Sequence, residues 1–240
     1  IKQYNNYIMK KIYILLFMFL VSAAYSQTLT ADEIVNKYIN AIGGISELKK
    51  INQISLTGKA VIMGHVTADI NYYEDAVQKC MFSIVSGEGI SAKNYYDMTG
   101  GWISQNGAKE DVAPEQMNTL KITVEDGTYF YLADKEGKGI KTELLGEEKI
   151  DGRDCYKIKF THKGTDKNVQ YIDKESFYAV RVESISSKGN LIIVNNSDYR
   201  EVPGTKLILP YSIERGPLKG TVDKYEINVP LDPKIILGSN

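Results

Sequence analysis

The sequence predicts a mainly β fold of the α+β kind: one large curved antiparallel sheet with a few covering helices. Three observations predict it. Apolar residues recur at period two over most of the chain from Ile54 onward. Turn signals divide the second half into stretches of 10 to 15 residues, long enough for full strands. Helical spacing is confined to short segments near Ile34 and near Met117.

The elements follow in order. Met9-Lys10-Lys11, the apolar run Ile12 to Val21, and the small residues Ala24 and Ser26 have the order of a signal peptide, with cleavage expected before Gln27. Residues 1–8 read as an upstream extension. The apolar run is shorter than the roughly 20 residues a membrane span needs. No cysteine follows it, so the expected product is exported but carries no lipid anchor. Residues 27–240 are expected to form a single domain.

Thr30-Ala31-Asp32-Glu33 has the form of a capping box, and Ile34, Tyr38, Ala41 and Ile42 then recur at helical spacing before Gly43-Gly44. Ile45, Leu48 and Ile51 predict a further turn or two. Ile54, Leu56, Ala60 and Ile62 alternate with their neighbours, and Val66, Ala68, Ile70 and Tyr72 repeat the pattern beyond Gly64. Ala76 to Val85 reads as a strand, and another strand pair surrounds Gly100-Gly101, making four or five strands. Pro114 opens a helix that places Met117, Leu120 and Val124 on one face. Tyr129 to Leu132 fits either a strand or a buried helical turn. From Lys141 the chain reads as a meander, with turns at Asp151-Gly152, Gly164, Lys174-Glu175, Gly189, Pro203-Gly204 and Gly216 to Gly220. Long strands in such number curl, and a sheet of about ten tends to close or half-close.

Composition and motifs narrow the function classes. Residues 27–240 carry 26 basic against 30 acidic residues and no basic cluster, which argues against a nucleic-acid partner. His65 and His162 each sit beside a turn, without ligand spacing, and are read as solvated. No Gly-x-Ser-x-Gly elbow or phosphate-binding loop is present, and the carboxylates Glu147, Glu148, Asp151 and Asp154 flank a turn. The reading is therefore of no catalytic residue, no metal and no cofactor. Cys80 and Cys155 match no metal or redox motif, and buried free thiols are favoured over a bridge. What remains is apolar and aromatic: Tyr72, Tyr96, Trp102, Tyr129, Phe130 and Tyr131.

Several motifs, taken in order, carry a resemblance. Ala31-Asp32-Glu33-Ile34-Val35 leads to Ile42-Gly43-Gly44. Gly101-Trp102 is followed by Gly107, and Gly146-Glu147-Glu148-Lys149-Ile150-Asp151-Gly152 runs into Tyr156. Tyr171-Ile172-Asp173-Lys174-Glu175 precedes Val180-Arg181, and Asp198-Tyr199-Arg200-Glu201-Val202 precedes Leu209-Pro210. The chain thereby resembles the LolA-like outer-membrane lipoprotein-sorting proteins, as a divergent member. The resemblance implies an unclosed barrel with helices over its mouth, acting as a periplasmic carrier that holds acyl chains on the concave side. It also implies lipoproteins or another lipid-like ligand as partners, together with lipoprotein machinery of the inner and outer membranes, and a monomer. The dedicated carrier latches its lid with an early-strand arginine, whereas the first arginine here is Arg153 and an early strand carries Lys59.

On this reading the cavity wall is Leu56, Ile70, Trp102, Met117, Leu120 and Ile158, and the lid helix presents Ile34, Tyr38 and Ile42. The same fold, closed and packed, would suit a non-catalytic envelope sensor or protein-interaction module.

Overall fold

The computed structural model describes residues 29–162, 164–186 and 188–230. The expected signal peptide and its cleavage point lie outside the described residues, and the described residues from Ala31 onward form one compact unit. Helix α1 (Ala31–Ala41) and the single turn α2 (Ile45–Leu48) come first. Six strands follow: β1 (Gln53–Ile62), β2 (Val66–Asp75), β3 (Cys80–Gly87), β4 (Ile90–Asp97), β5 (Gly101–Gln105) and β6 (Ala108–Asp111). Helix α3 (Pro114–Asp126) and the turn α4 (Phe130–Ala133) interrupt the strands. The chain continues with β7 (Ile140–Ile150), β8 (Arg153–His162), β9 (Thr165–Asp173), β10 (Ala179–Ile185), β11 (Leu191–Glu201), β12 (Ile208–Arg215) and β13 (Leu218–Ile227).

All 13 strands belong to one antiparallel sheet in the order β6-β5-β4-β3-β2-β1-β13-β12-β11-β10-β9-β8-β7. Two meanders are thus joined by the β1–β13 pair, and the end strands β6 and β7 do not pair. An unclosed antiparallel sheet with helices against one face, as the sequence predicts, is the fold observed. The first half holds six strands where four or five were expected, because β6, only four exposed residues long, has no apolar pattern to announce it.

One local reading is corrected, and one left open is decided. The strand expected from Ala76 starts at Cys80, because Asp75 Oδ1 accepts from the backbone N–H groups of Val77 (2.8 Å) and Gln78 (2.7 Å) and closes a turn there. Tyr129 to Leu132 resolves to a helical turn, with Phe130, Tyr131 and Leu132 buried.

Register defines two faces for the sheet. Side chains of directly paired residues share a face. One row runs Leu56, Tyr72, Ser83, Asn94, Ile103 and the next runs Ser55, Tyr73, Phe82, Tyr95, Trp102. The helices lie on the first of these faces. Thr128, just past α3, donates its backbone N–H to Glu74 (2.8 Å), and Tyr131 of α4 stands edge-on to Phe160 with ring centroids 5.7 Å apart. Glu74 and Phe160 are therefore inner-face residues. Gly58 sits where the β1–β13 register shifts, and a Cβ there would collide with the carbonyl oxygen of Thr221.

Candidate functional site

The inner face divides into two regions of different packing. Over β7 to β10 it is filled. Ile158, Phe160 and Ile172 have no accessible surface, and Ile34, Val35, Ile42, Tyr131 and Leu132 from the helices are buried equally deeply. Helix α1 is pinned at both ends of this region. Near its start, Asp32 accepts from Lys135 and from Thr142 (2.6 Å), and these bonds hold its carboxyl below the ordinary range. Past its end, Ile208 donates its N–H to the Ile42 carbonyl (3.1 Å). Ile34, Tyr38 and Ile42 are thus buried against the inner face in this structure, and Ile158 is buried with them.

Over β1 to β5 the inner face is only half covered. Leu56, Ile70, Tyr72, Val85, Tyr96 and Ile103 all keep intermediate exposure, although register places them on the face that bears the helices. Small residues lie among them: Gly58 opposite Ile70, and Ala60 opposite Ala68, which in turn pairs with Gly87. The cover here is α3, which packs on β3 and β4. Its Met117 and Val124 are buried and Leu120 is half-buried. Pro114 starts the helix without any side-chain cap from Ala113.

Tyrosines give this region its chemistry. Burial, then the carboxylate of Glu74, pushes the Tyr72 hydroxyl well above its usual pKa. Burial does the same for Tyr129, which is flanked by Tyr225, Tyr38 and Tyr199. Tyr72, Tyr129 and Tyr199 nonetheless retain accessible surface. Burial raises the Tyr96 pKa too, and Arg215, exposed on the inner face at the end of β12, opposes the rise at both Tyr72 and Tyr96.

Trp102 does not join this set. It lies on the outer face in a cluster with Tyr73, Cys80, Phe82, Ile84 and Tyr95, stacked on Tyr95 at 6.2 Å and edge-on to Phe82 at 6.4 Å. The residue after a Gly-Gly turn points to one face or the other according to register, which local sequence does not carry. Lys59 also faces outward and pairs with Asp69 (2.7 Å), so it is no counterpart of an inward latch.

A buried polar bracket crosses the interior, and sequence reasoning missed it. His162, read as solvated, is 1 % exposed, and its Nδ1 lies 2.8 Å from Asp126 Oδ2. Lys167 approaches the same oxygen at 3.2 Å and lies 4.6 Å from the centre of the Tyr131 ring. Desolvation pulls the Lys167 pKa down, against the pull of Asp126. Lys138 stands 3.8 Å from Asp126 Oδ1, and Glu125 Oε2 stands 4.0 Å from His162 Nε2. Two residues on, Thr128 bonds Glu74 through its backbone and through Oγ1 (2.5 Å). The end of α3 is therefore tied to β8 and β9 on one side and to β2 on the other. Gly127 between them has φ 58°, and a Cβ there would sit 2.5 Å from the Phe130 ring. Asp126 and His162 are 36 residues apart, so no local spacing could reveal the pair.

Two clefts lie elsewhere. One of about 540 Å³ is bordered by Leu48, Ile51, Phe130, Glu125 and Lys138, and one of about 360 Å³ by Arg153, Asp173, Tyr178, Asp198 and Tyr199. Leu56, Ile70, Met117 and Leu120 border neither. Among the described residues no group of three or more His, Cys, Asp or Glu could hold a metal ion, and no helix is long and apolar enough to cross a membrane. Cys80 and Cys155 are free and buried, on β3 and β8, and burial pushes the Cys80 thiol up to about 11.

The class defined by this geometry is an open antiparallel half-barrel with helices against its inner face. No family model and no curated protein matches the chain. Among solved structures, a DUF1329 family protein from Desulfovibrio piger is similar at 13 % identity, over 86 % of this chain and 97 % of that one, with a TM-score of 0.50. A putative outer membrane lipoprotein-sorting protein domain from Vibrio parahaemolyticus matches at 12 % identity over 83 % and 93 % of the two chains (TM-score 0.48). A LolA superfamily protein from Nitrosomonas europaea matches at 14 % identity over 87 % and 97 % (TM-score 0.45). The first of these likenesses shows a shared fold.

Proposed function

We propose that this chain is a periplasmic carrier or binding protein for lipoproteins or other acylated ligands. It would hold acyl chains against the inner face of β1 to β5, beneath α3. The observation that carries this reading is the contrast across one face. Buried helices fill the β7 to β10 region, while Leu56, Ile70, Val85 and Ile103 stay half-accessible under a single helix. Burial of an acyl chain there contributes about 0.8 kcal/mol per methylene. Met117 and Leu120 supply the matching apolar side of the cover.

The order of motifs resembling LolA-like proteins and the signal-peptide pattern support the periplasmic address. The absence of a cysteine after the apolar run supports free diffusion between membranes. The role is non-catalytic: Asp126 and His162 are too deeply buried to meet a substrate. The second reading, an interaction or sensor module, draws support from the filled half of the interior.

The test is to purify the exported protein gently from its native periplasm and identify co-purifying species by mass spectrometry. Acylated lipids or lipoproteins in near-stoichiometric amount are expected. Protein recovered free of any acylated species would favour the interaction module instead.

A further inference from the structure

We infer that the acyl ligand carries an anionic head group, a carboxylate or a phosphate, held by Arg215 and the Tyr96 hydroxyl beside the half-covered inner face. The inference rests on the carrier reading and deepens it by naming the ligand class.

Register puts Arg215 on the same face as the apolar wall. Leu56, Gly58, Ala60 and Ile62 follow one another along the inner side of β1. Across to β13, Gly58 pairs with Val222, Ala60 with Gly220 and Ile62 with Leu218. Leu218 pairs in turn with Arg215, and directly paired residues share a face. Ile70 leans across the same floor: a Cβ on Gly220 would stand 3.4 Å from Ile70 Cδ1 and 3.6 Å from a Leu218 methyl carbon. The guanidinium is thus rooted beside Ile70, Ile213 and Leu218, all half-exposed.

The charge of Arg215 is uncommitted. Among the described residues it has no ion pair and no hydrogen bond, and the neighbouring Glu214 is taken by Lys219. Its field nevertheless opposes the effect of burial at Tyr72 on β2 and at Tyr96 on β4. β4 stands five places from β12 in the sheet order, about 24 Å on a flat sheet, so the concave curl gathers these side chains around one space. Of the two hydroxyls, that of Tyr72 already donates to Glu74, which also accepts from Thr128. The Tyr96 hydroxyl has no partner among the described residues and is half-exposed. The cover adds a second base, since Lys121 lies between the buried Met117 and Val124 at helical spacing on α3. A guanidinium fork and a free O–H match the acceptor oxygens of a carboxylate or phosphate. An uncharged ligand would leave both donors to water.

The experiment titrates the chain from Gln27 onward, which retains every described residue, with dodecanoate, dodecyl phosphate and dodecanol. The three share one apolar chain and differ in head group. The anions are expected to bind about tenfold more tightly than dodecanol, and the tighter of them identifies the head group. Added salt should narrow the gap. Arg215→Gln should erase the preference, and Tyr96→Phe should weaken the anions about fivefold, with dodecanol changed less than about twofold in both. Lys59→Gln, which alters a base on the outer face, should change nothing. Thermal melts confirm that each variant is folded. Equal binding of the three ligands, or a preference that survives Arg215→Gln, would overturn the inference and leave the carrier reading in place. Binding of none of them would overturn both.

Discussion

Replacing Asp126 by alanine should destabilise the protein more than any other single polar change in it. The Asp126 carboxylate has no exposed surface, bonds His162 at 2.8 Å, and lies 3.2 Å from Lys167 and 3.8 Å from Lys138. Removing it leaves the ammonium of Lys167, 9 % exposed, without its nearest anion. Breaking a buried ion pair from one side costs about 3–5 kcal/mol. In a domain of this size that lowers Tm by roughly 10 °C. Asp126→Asn still accepts from His162 and loses only the charge, so it should cost about 1.5–3 kcal/mol. The triple variant Asp126→Leu/His162→Leu/Lys167→Met removes the whole network and should recover most of the loss, because apolar replacements of buried triads are often neutral. Urea melts read all three. A loss below about 1 kcal/mol for Asp126→Ala would refute the claim that this bracket fastens the end of α3.

The contrast between the two inner regions predicts that Ile158→Ala costs about 2–5 kcal/mol of stability. Leu56→Asp and Ile70→Asp should leave Tm within a few degrees while abolishing binding of an acyl probe. Trp102→Phe should leave acyl binding intact, and acyl ligands should not quench Trp102 emission; strong quenching would contradict its outer-face position. Asp32, Asp75 and Asp97 have lowered pKa values in the folded chain. The unfolded chain therefore takes up these protons first, so their stabilisation is complete above about pH 4 and is lost as pH falls through the folded values. Acid titration of Tm between pH 7 and about pH 2.5 should show a decline confined to the region below about pH 4.

Much of the fold was legible because the side-chain periods are physical. Ile54, Leu56, Ala60 and Ile62 alternate because one face of β1 is inner, and Val66, Ala68, Ile70 and Tyr72 share that face through direct pairing. Turn glycines at Gly64, Gly152, Gly164, Gly189 and Gly204 all adopt positive φ, the conformation that made them readable. Register was not legible. Trp102 and Ile103 are neighbours on one strand that face opposite sides, and only the pairing with Tyr95 and Asn94 tells which is inner. Burial of polar groups was equally hidden. His162 follows Thr161 like any turn residue, and its partner Asp126 comes from the last turn of a helix far back in the chain. The apolar spacing of Ile34, Tyr38 and Ile42 shows which face of the helix is buried and not what holds the helix in place. Its anchors, Lys135, Thr142 and Ile208, are all distant in sequence.

The central claim is that the half-covered inner face of β1 to β5 receives an acyl chain. Crystals grown with a bromine-labelled acyl ligand test it most directly, since anomalous scattering locates the bromine atoms without assumption. The account predicts bromine density along Leu56, Ile70 and Val85 beneath Met117 and Leu120. Bromine in the clefts beside Phe130 or Tyr178, against the outer cluster around Trp102, or absent at saturating ligand would contradict it.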